Sequence, residues 1–71
     1  MQATIWFKEN GDEYLGYFRA RNLTSITFDP AKPNTIMLGY VLIDMDEPIT
    51  SVAVDGHGNQ PMDKPWTIVE D

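Results

Sequence analysis

Few residues in this chain carry obvious chemistry, and they are scattered. His57 is the single histidine of 71 residues, set between Gly56 and Gly58 and two positions from Asp55. A glycine-flanked imidazole in a loop, oriented by a nearby carboxylate, has two parts of a proton shuttle. The remaining parts are missing: no serine or threonine sits in a nucleophile motif, and a lone base does not make a mechanism. An exposed loop histidine is the plainer reading. An enzyme using His57 therefore ranks third among the functions considered, and the expectation is a non-enzymatic protein with no catalytic residue.

Asp44, Asp46 and Glu47 put three carboxylates into four positions. Hard cations are held by such oxygens, but a calcium loop needs ligands at alternate positions, a glycine at the sixth and a glutamate at the twelfth. This segment breaks at Pro48, so a solvated strand end is expected there, with no metal site. The run Asp55-Gly56-His57-Gly58-Asn59 has the glycines of a phosphate cradle but neither a Walker-type lysine nor a following helix. Glycines in such a run serve a turn first. No cofactor is implied.

Five Lys and Arg stand against eleven Asp and Glu, a net charge of −6. That balance repels a phosphate backbone and an anionic lipid surface, so neither direct nucleic-acid binding nor membrane binding is expected. It suits a protein that offers carboxylates where phosphates would sit, occupying the basic groove of a nucleic-acid-binding protein. Asp12, Glu13, Asp44, Asp46, Glu47 and Asp55 are the candidate contacts; their competing role is solubility. Small, acidic, cysteine-free chains are common among phage and mobile-element proteins that block host nucleic-acid machinery, a likeness of composition that no motif carries. The runner-up function uses Trp6, Tyr17, Arg19 and Arg21, residue types that dominate binding hot spots and that hold nucleotides or other anions by stacking and guanidinium contacts. Burial of Trp6 and Tyr17 under a loop or the C-terminal segment is the alternative to that face.

The elements that position these residues read as short strands. Asn10-Gly11 is a strong signal for a two-residue hairpin loop between residues 2–8 and 13–21. On that register Glu9 faces Asp12, Lys8 faces Glu13, Phe7 faces Tyr14, Trp6 faces Leu15 and Ile5 faces Gly16. One face then carries Ala3, Ile5, Phe7, Tyr14, Gly16, Phe18 and Ala20, the core side. The other carries Thr4, Trp6, Lys8, Glu13, Leu15, Tyr17, Arg19 and Arg21. Leu23 to Phe28 alternates with Thr24, Ile26 and Phe28 on one side, and Pro30 and Pro33 then bar a strand interior. Ile49 to Val54 alternates again, 55–65 reads as a long loop, and Trp66 to Val69 can form a last short strand.

Between the prolines and Asp46-Glu47-Pro48 lies the longest apolar run, Ile36 to Ile43. Its length and its β-branched and aromatic content predict one strand buried on both faces, with a buried helix as the competing reading. If Ile36, Leu38, Tyr40 and Leu42 face the core, then Met37, Val41, Ile43 and Met45 point outward, and a symmetric dimer would cover them. The fold expected is a single all-β domain over 1–71: five to six short, mostly antiparallel strands in a small curled sheet or barrel, with little or no helix. A chain of this size buries only about 60% of its unfolded surface, and without cysteine no disulfide reinforces it. The N-terminus lacks a signal-peptide pattern and no run approaches about 18 apolar residues, so a cytoplasmic protein is expected, in the host cell if a phage encodes it.

Overall fold

The computed structural model describes residues 1–9 and 14–70, and among them there is no helix. Eight strands form in chain order: β1 Ala3–Glu9, β2 Tyr14–Ala20, β3 Ser25–Phe28, β4 Thr35–Leu38, β5 Val41–Asp44, β6 Ile49–Val54, β7 Gly58–Asn59 and β8 Trp66–Val69. They make two antiparallel four-stranded sheets, β2-β1-β6-β7 and β5-β4-β3-β8. The all-β, antiparallel expectation holds, while the two sheets stay open instead of closing into a barrel.

The core lies where the two sheets meet. Ala3, Ile5, Ile49, Val52 and Val54 come from the first sheet, and Ile26, Phe28, Ile36 and Leu38 from the second. No polar or charged side chain is buried among the described residues, so the core between the sheets is apolar. Loop backbone bonds tie the ends: Leu23 N–H donates to Met1 O at 2.9 Å, Asp55 N–H to Gln2 O at 3.0 Å, and Ile49 N–H to Pro33 O at 2.8 Å. The Met1 ammonium adds contacts to Leu23 O and the Glu70 carboxylate.

The first hairpin keeps its predicted faces but not its predicted register. Phe7 pairs with Gly16, Trp6 with Tyr17, Ile5 with Phe18 and Glu9 with Tyr14, a displacement of two residues. An even shift leaves every side chain on its own face, so Ala3 and Ile5 are buried as expected, but Tyr14, expected on the core side, is exposed at the outer edge strand. Packing explains the shift. A Cβ at Gly16 would stand 2.6 Å from Cε2 and Cζ of Phe7, so the bare glycine receives the Phe7 ring, which lies 6.3 Å from the Phe18 ring. The expected turn at Asn10-Gly11, and with it Asp12 and Glu13, lies outside the described residues.

The apolar run from Ile36 to Ile43 is not one buried strand. It folds back as the β4–β5 hairpin, pairing Leu38 with Val41, Met37 with Leu42, Ile36 with Ile43 and Thr35 with Asp44. Gly39 and Tyr40 are the two loop residues; Gly39 has φ +62° and Tyr40 is 99% exposed. Positive φ at the first central position is what a type II′ turn requires, and glycine supplies it without steric cost. The reversal changes which residues face the core. Ile36 and Leu38 are buried, whereas Tyr40 and Leu42, expected inside, are exposed. Of the expected outward patch, Ile43 and Met45 instead pack against the core, Met37 is half-buried, and Val41 shares the side of Leu38 but sits exposed at the free edge. The contiguous dimer patch of Met37, Val41, Ile43 and Met45 does not exist.

Strand β6 carries a bulge. Trp6 pairs with Ser51 and Phe7 with Ile49, leaving Thr50 as the extra residue. The insertion shifts the phase of Ile49, so that it joins Val52 and Val54 in the core. The expected long loop also contains structure: β7 pairs with the end of β6 around Asp55-Gly56-His57, with φ +84° at Gly56 and +73° at Gly58. Strand β8 forms as expected and pairs with β3. Trp66 anchors it, with its ring 6.0 Å from Phe28 and its Nε1–H donating to Pro61 O.

Candidate functional site

Three surfaces gather the candidate residues, and each is built by strand pairing. The first is the outward face of β2-β1-β6. The alternation of β1 and β2 that buries Ile5 must turn Trp6 and Tyr17 outward, and the register sets them directly opposite each other. Arg19 follows on the same face, opposite Thr4. Tyr17 is 61% exposed and Leu15 66%, while Trp6, on the inner of the two strands, is half-buried. Arg21 lies beyond the end of β2 and lines a separate shallow depression with Met1, Gln2, Asn22 and Asp55. The aromatic pair and Arg19 therefore form one surface, and Arg21 stands at its margin.

The second surface is acidic. Lys8 N–H donates to Pro48 O at 3.2 Å, which carries the β5–β6 connection alongside the end of β1. The result is a cleft of about 450 Å³ lined by Phe7, Lys8, Glu9, Met45, Asp46 and Glu47. Its lining combines the acidic residues Glu9, Asp46 and Glu47 with Lys8 and with the apolar Phe7 and Met45. Asp44 is exposed at the end of β5, immediately before Met45 of this cleft. Asp55 does not join it, because its N–H bonds Gln2 O at the opposite end of β1. Of the six acidic candidates, Asp44, Asp46 and Glu47 thus share one end, Asp55 is remote, and Asp12 and Glu13 lie outside the described residues.

Glu9 was absent from the sequence-level candidates, Phe7 was expected only as core and Met45 only in a dimer patch. Their meeting with Asp46 and Glu47 depends on the β6 bulge and on the path of the β5–β6 connection, and local patterning carries no signal for either. A carboxylate at the end of β1 would have been the only hint.

The third surface is the β6–β7 turn. His57 is exposed, its N–H donates to Val54 O at 2.9 Å, and its carbonyl accepts from Gln60 Nε2 at 3.2 Å. The backbone bonds explain the residue's position as part of a tight turn. Among the described residues, no three His, Asp or Glu side chains come together to hold a metal ion. No helix of the described residues is long and apolar enough to cross a membrane. Compared with known protein families, with curated proteins and with solved structures, the chain gives no match.

Proposed function

We propose that this chain is a non-enzymatic interaction protein whose acidic end docks on the basic, nucleic-acid-binding surface of another protein. The observation that supports the reading is the cleft lined by Glu9, Asp46 and Glu47 together with Phe7, Lys8 and Met45. A cleft lined by both acidic and apolar residues suits an arginine or lysine side chain, whose methylene stem packs on apolar surface while its charged head meets a carboxylate. The net charge of −6 steers such an encounter over longer range. On this reading the protein acts as an inhibitor in the cytoplasm, that of the host cell if a phage encodes it. Affinity capture on immobilised chain, repeated with the Glu9→Gln, Glu47→Gln variant, tests it. Capture of nucleic-acid-binding proteins that are displaced by added nucleic acid, and that the variant retains poorly, supports the reading. Capture that nucleic acid does not compete would overturn it.

A second reading is supported by the Trp6–Tyr17 pair with Arg19 on the same face. Two aromatic rings beside a guanidinium can stack and neutralise a nucleotide or a similar anion. A thermal-shift screen separates the two: a nucleotide that raises Tm in the wild type and not in Trp6→Ala favours the ligand binder.

A further inference from the structure

The exposed apolar side chains of this protein are concentrated on the free edges of its sheets. Tyr14, Leu15 and Tyr17 lie on β2, and Tyr40, Val41 and Leu42 lie on β5 and its turn, with Val69 the single such residue on the edge strand β8 among the described residues. Both strands are terminal in their sheets, β2 beside β1 only and β5 beside β4 only, so each has an open backbone edge. Edge strands normally carry charge, bulges or cover to prevent pairing with another chain. These two carry complementary charge instead. Residues 14–21 hold Arg19 and Arg21 and no carboxylate, whereas β5 ends in Asp44 and continues to Asp46. Among the described residues, none of these four side chains is in an ion pair.

We propose that β2 of one molecule pairs with β5 of a second copy, joining the first sheet of one chain to the second sheet of the next. Aligned in parallel, the two strands match residue for residue. Arg19 meets Asp44, Tyr17 meets Leu42 and Leu15 meets Tyr40 on the outer face. Just beyond the ends of both strands, Arg21 meets Asp46. On the inner face Phe18 meets Ile43 and Gly16 meets Val41, so apolar positions meet apolar positions throughout. Other registers lose one or both ion pairs or set a carboxylate against an aromatic ring. Each copy offers one edge of each kind, so the contact is heterologous and assembly continues until a ring closes or a filament grows. The contact shares Asp46 with the acidic cleft and otherwise uses residues outside it.

The chain has no cysteine, which makes thiol cross-linking clean. Tyr17→Cys and Leu42→Cys are prepared as separate chains, one carrying a mass tag, and an equimolar mixture is joined by a short bifunctional thiol reagent. Mixed dimers, one chain of each variant, should dominate. Homodimers of the Tyr17→Cys chain would instead reveal symmetric β2–β2 pairing and overturn the proposal. Light scattering on the unmodified protein should give a mass at least twice the 8.1 kDa chain, rising with concentration; a monomer at millimolar concentration overturns it. Arg19→Glu with Arg21→Glu should abolish association, and adding Asp44→Lys with Asp46→Lys on the same chain should restore it. Lys32→Glu with Lys64→Glu makes the same charge change at exposed positions away from both edges and should leave association intact. Equal loss in that control, or no recovery in the charge-swapped chain, rules the pairing out.

Discussion

Gly16 shows how one absent side chain sets a register. The Phe7 ring occupies the space a Cβ would need, at 2.6 Å. Gly16→Ala should therefore push the ring away from Phe18 and destabilise the fold by about 1 kcal/mol, the low end of overpacking costs, because a ring edge can swing. Urea unfolding measures the loss, and the same substitution in a Phe7→Leu background should cost less. Gly39 is constrained differently. With φ +62° and only Thr24 Oγ1 near, at 3.7 Å, space is available and the backbone is the constraint. Gly39→Ala should cost roughly 1–3 kcal/mol in the same assay, since a side chain at the first central position of a type II′ turn is strained. Gly16 was legible as a bare position on the core face, but which ring would cover it was not, because a two-residue slip preserves the alternation of both strands.

At the scale of elements, the strands with clear alternation were legible and the unbroken apolar run was not. Ile26 and Phe28 of β3, and Val52 and Val54 of β6, are buried where the period of two places them. The run from Ile36 to Ile43 offered no alternation to reveal its reversal, and the Gly39-Tyr40 step was the one local sign of a turn. Hairpin loops of two residues need a glycine at such a position far more than they need a break in hydrophobicity. The bulge at Thr50 was equally hidden, since it follows from pairing with β1 and not from the composition of β6. The candidate acidic end inherited that limit: Asp46 and Glu47 were visible in sequence, their neighbour Glu9 was not. The core also yields a sharp expectation. Ile5 and Ile26 are fully buried, one from each sheet. Truncating either to Ala should cost about 2–5 kcal/mol. Against a total of roughly 4–11 kcal/mol for a domain of this length, either change should remove a large share of the stability, which a lowered urea midpoint followed by circular dichroism would register.

The whole molecule is elongated, 37 × 21 × 20 Å, and its carboxylates are unevenly placed along that shape. Asp46, Glu47 and Glu9 line one cleft beside the end of β1, while Asp55 lies beside Gln2 at the other end of the same strand. A partner that reads only net charge would respond equally to loss of any of them. One that docks on the cleft would not. If the acidic end carries the interaction, Glu9→Gln with Glu47→Gln should slow association several-fold with little change in dissociation, whereas Asp55→Asn should have a clearly smaller effect per charge removed. Asp44 and Asp46 stay in place in this variant, so any pairing of sheet edges is left undisturbed. Raising ionic strength beyond physiological salt, where the Debye length is already about 8 Å, should reduce the wild-type association rate steeply and bring it toward that of the double variant. Stopped-flow mixing with the captured partner over a salt series measures both. Rates that ignore salt, or that fall equally for Asp55→Asn and for the cleft variant, would place the binding energy elsewhere, with the Trp6–Tyr17 face as the next surface to test.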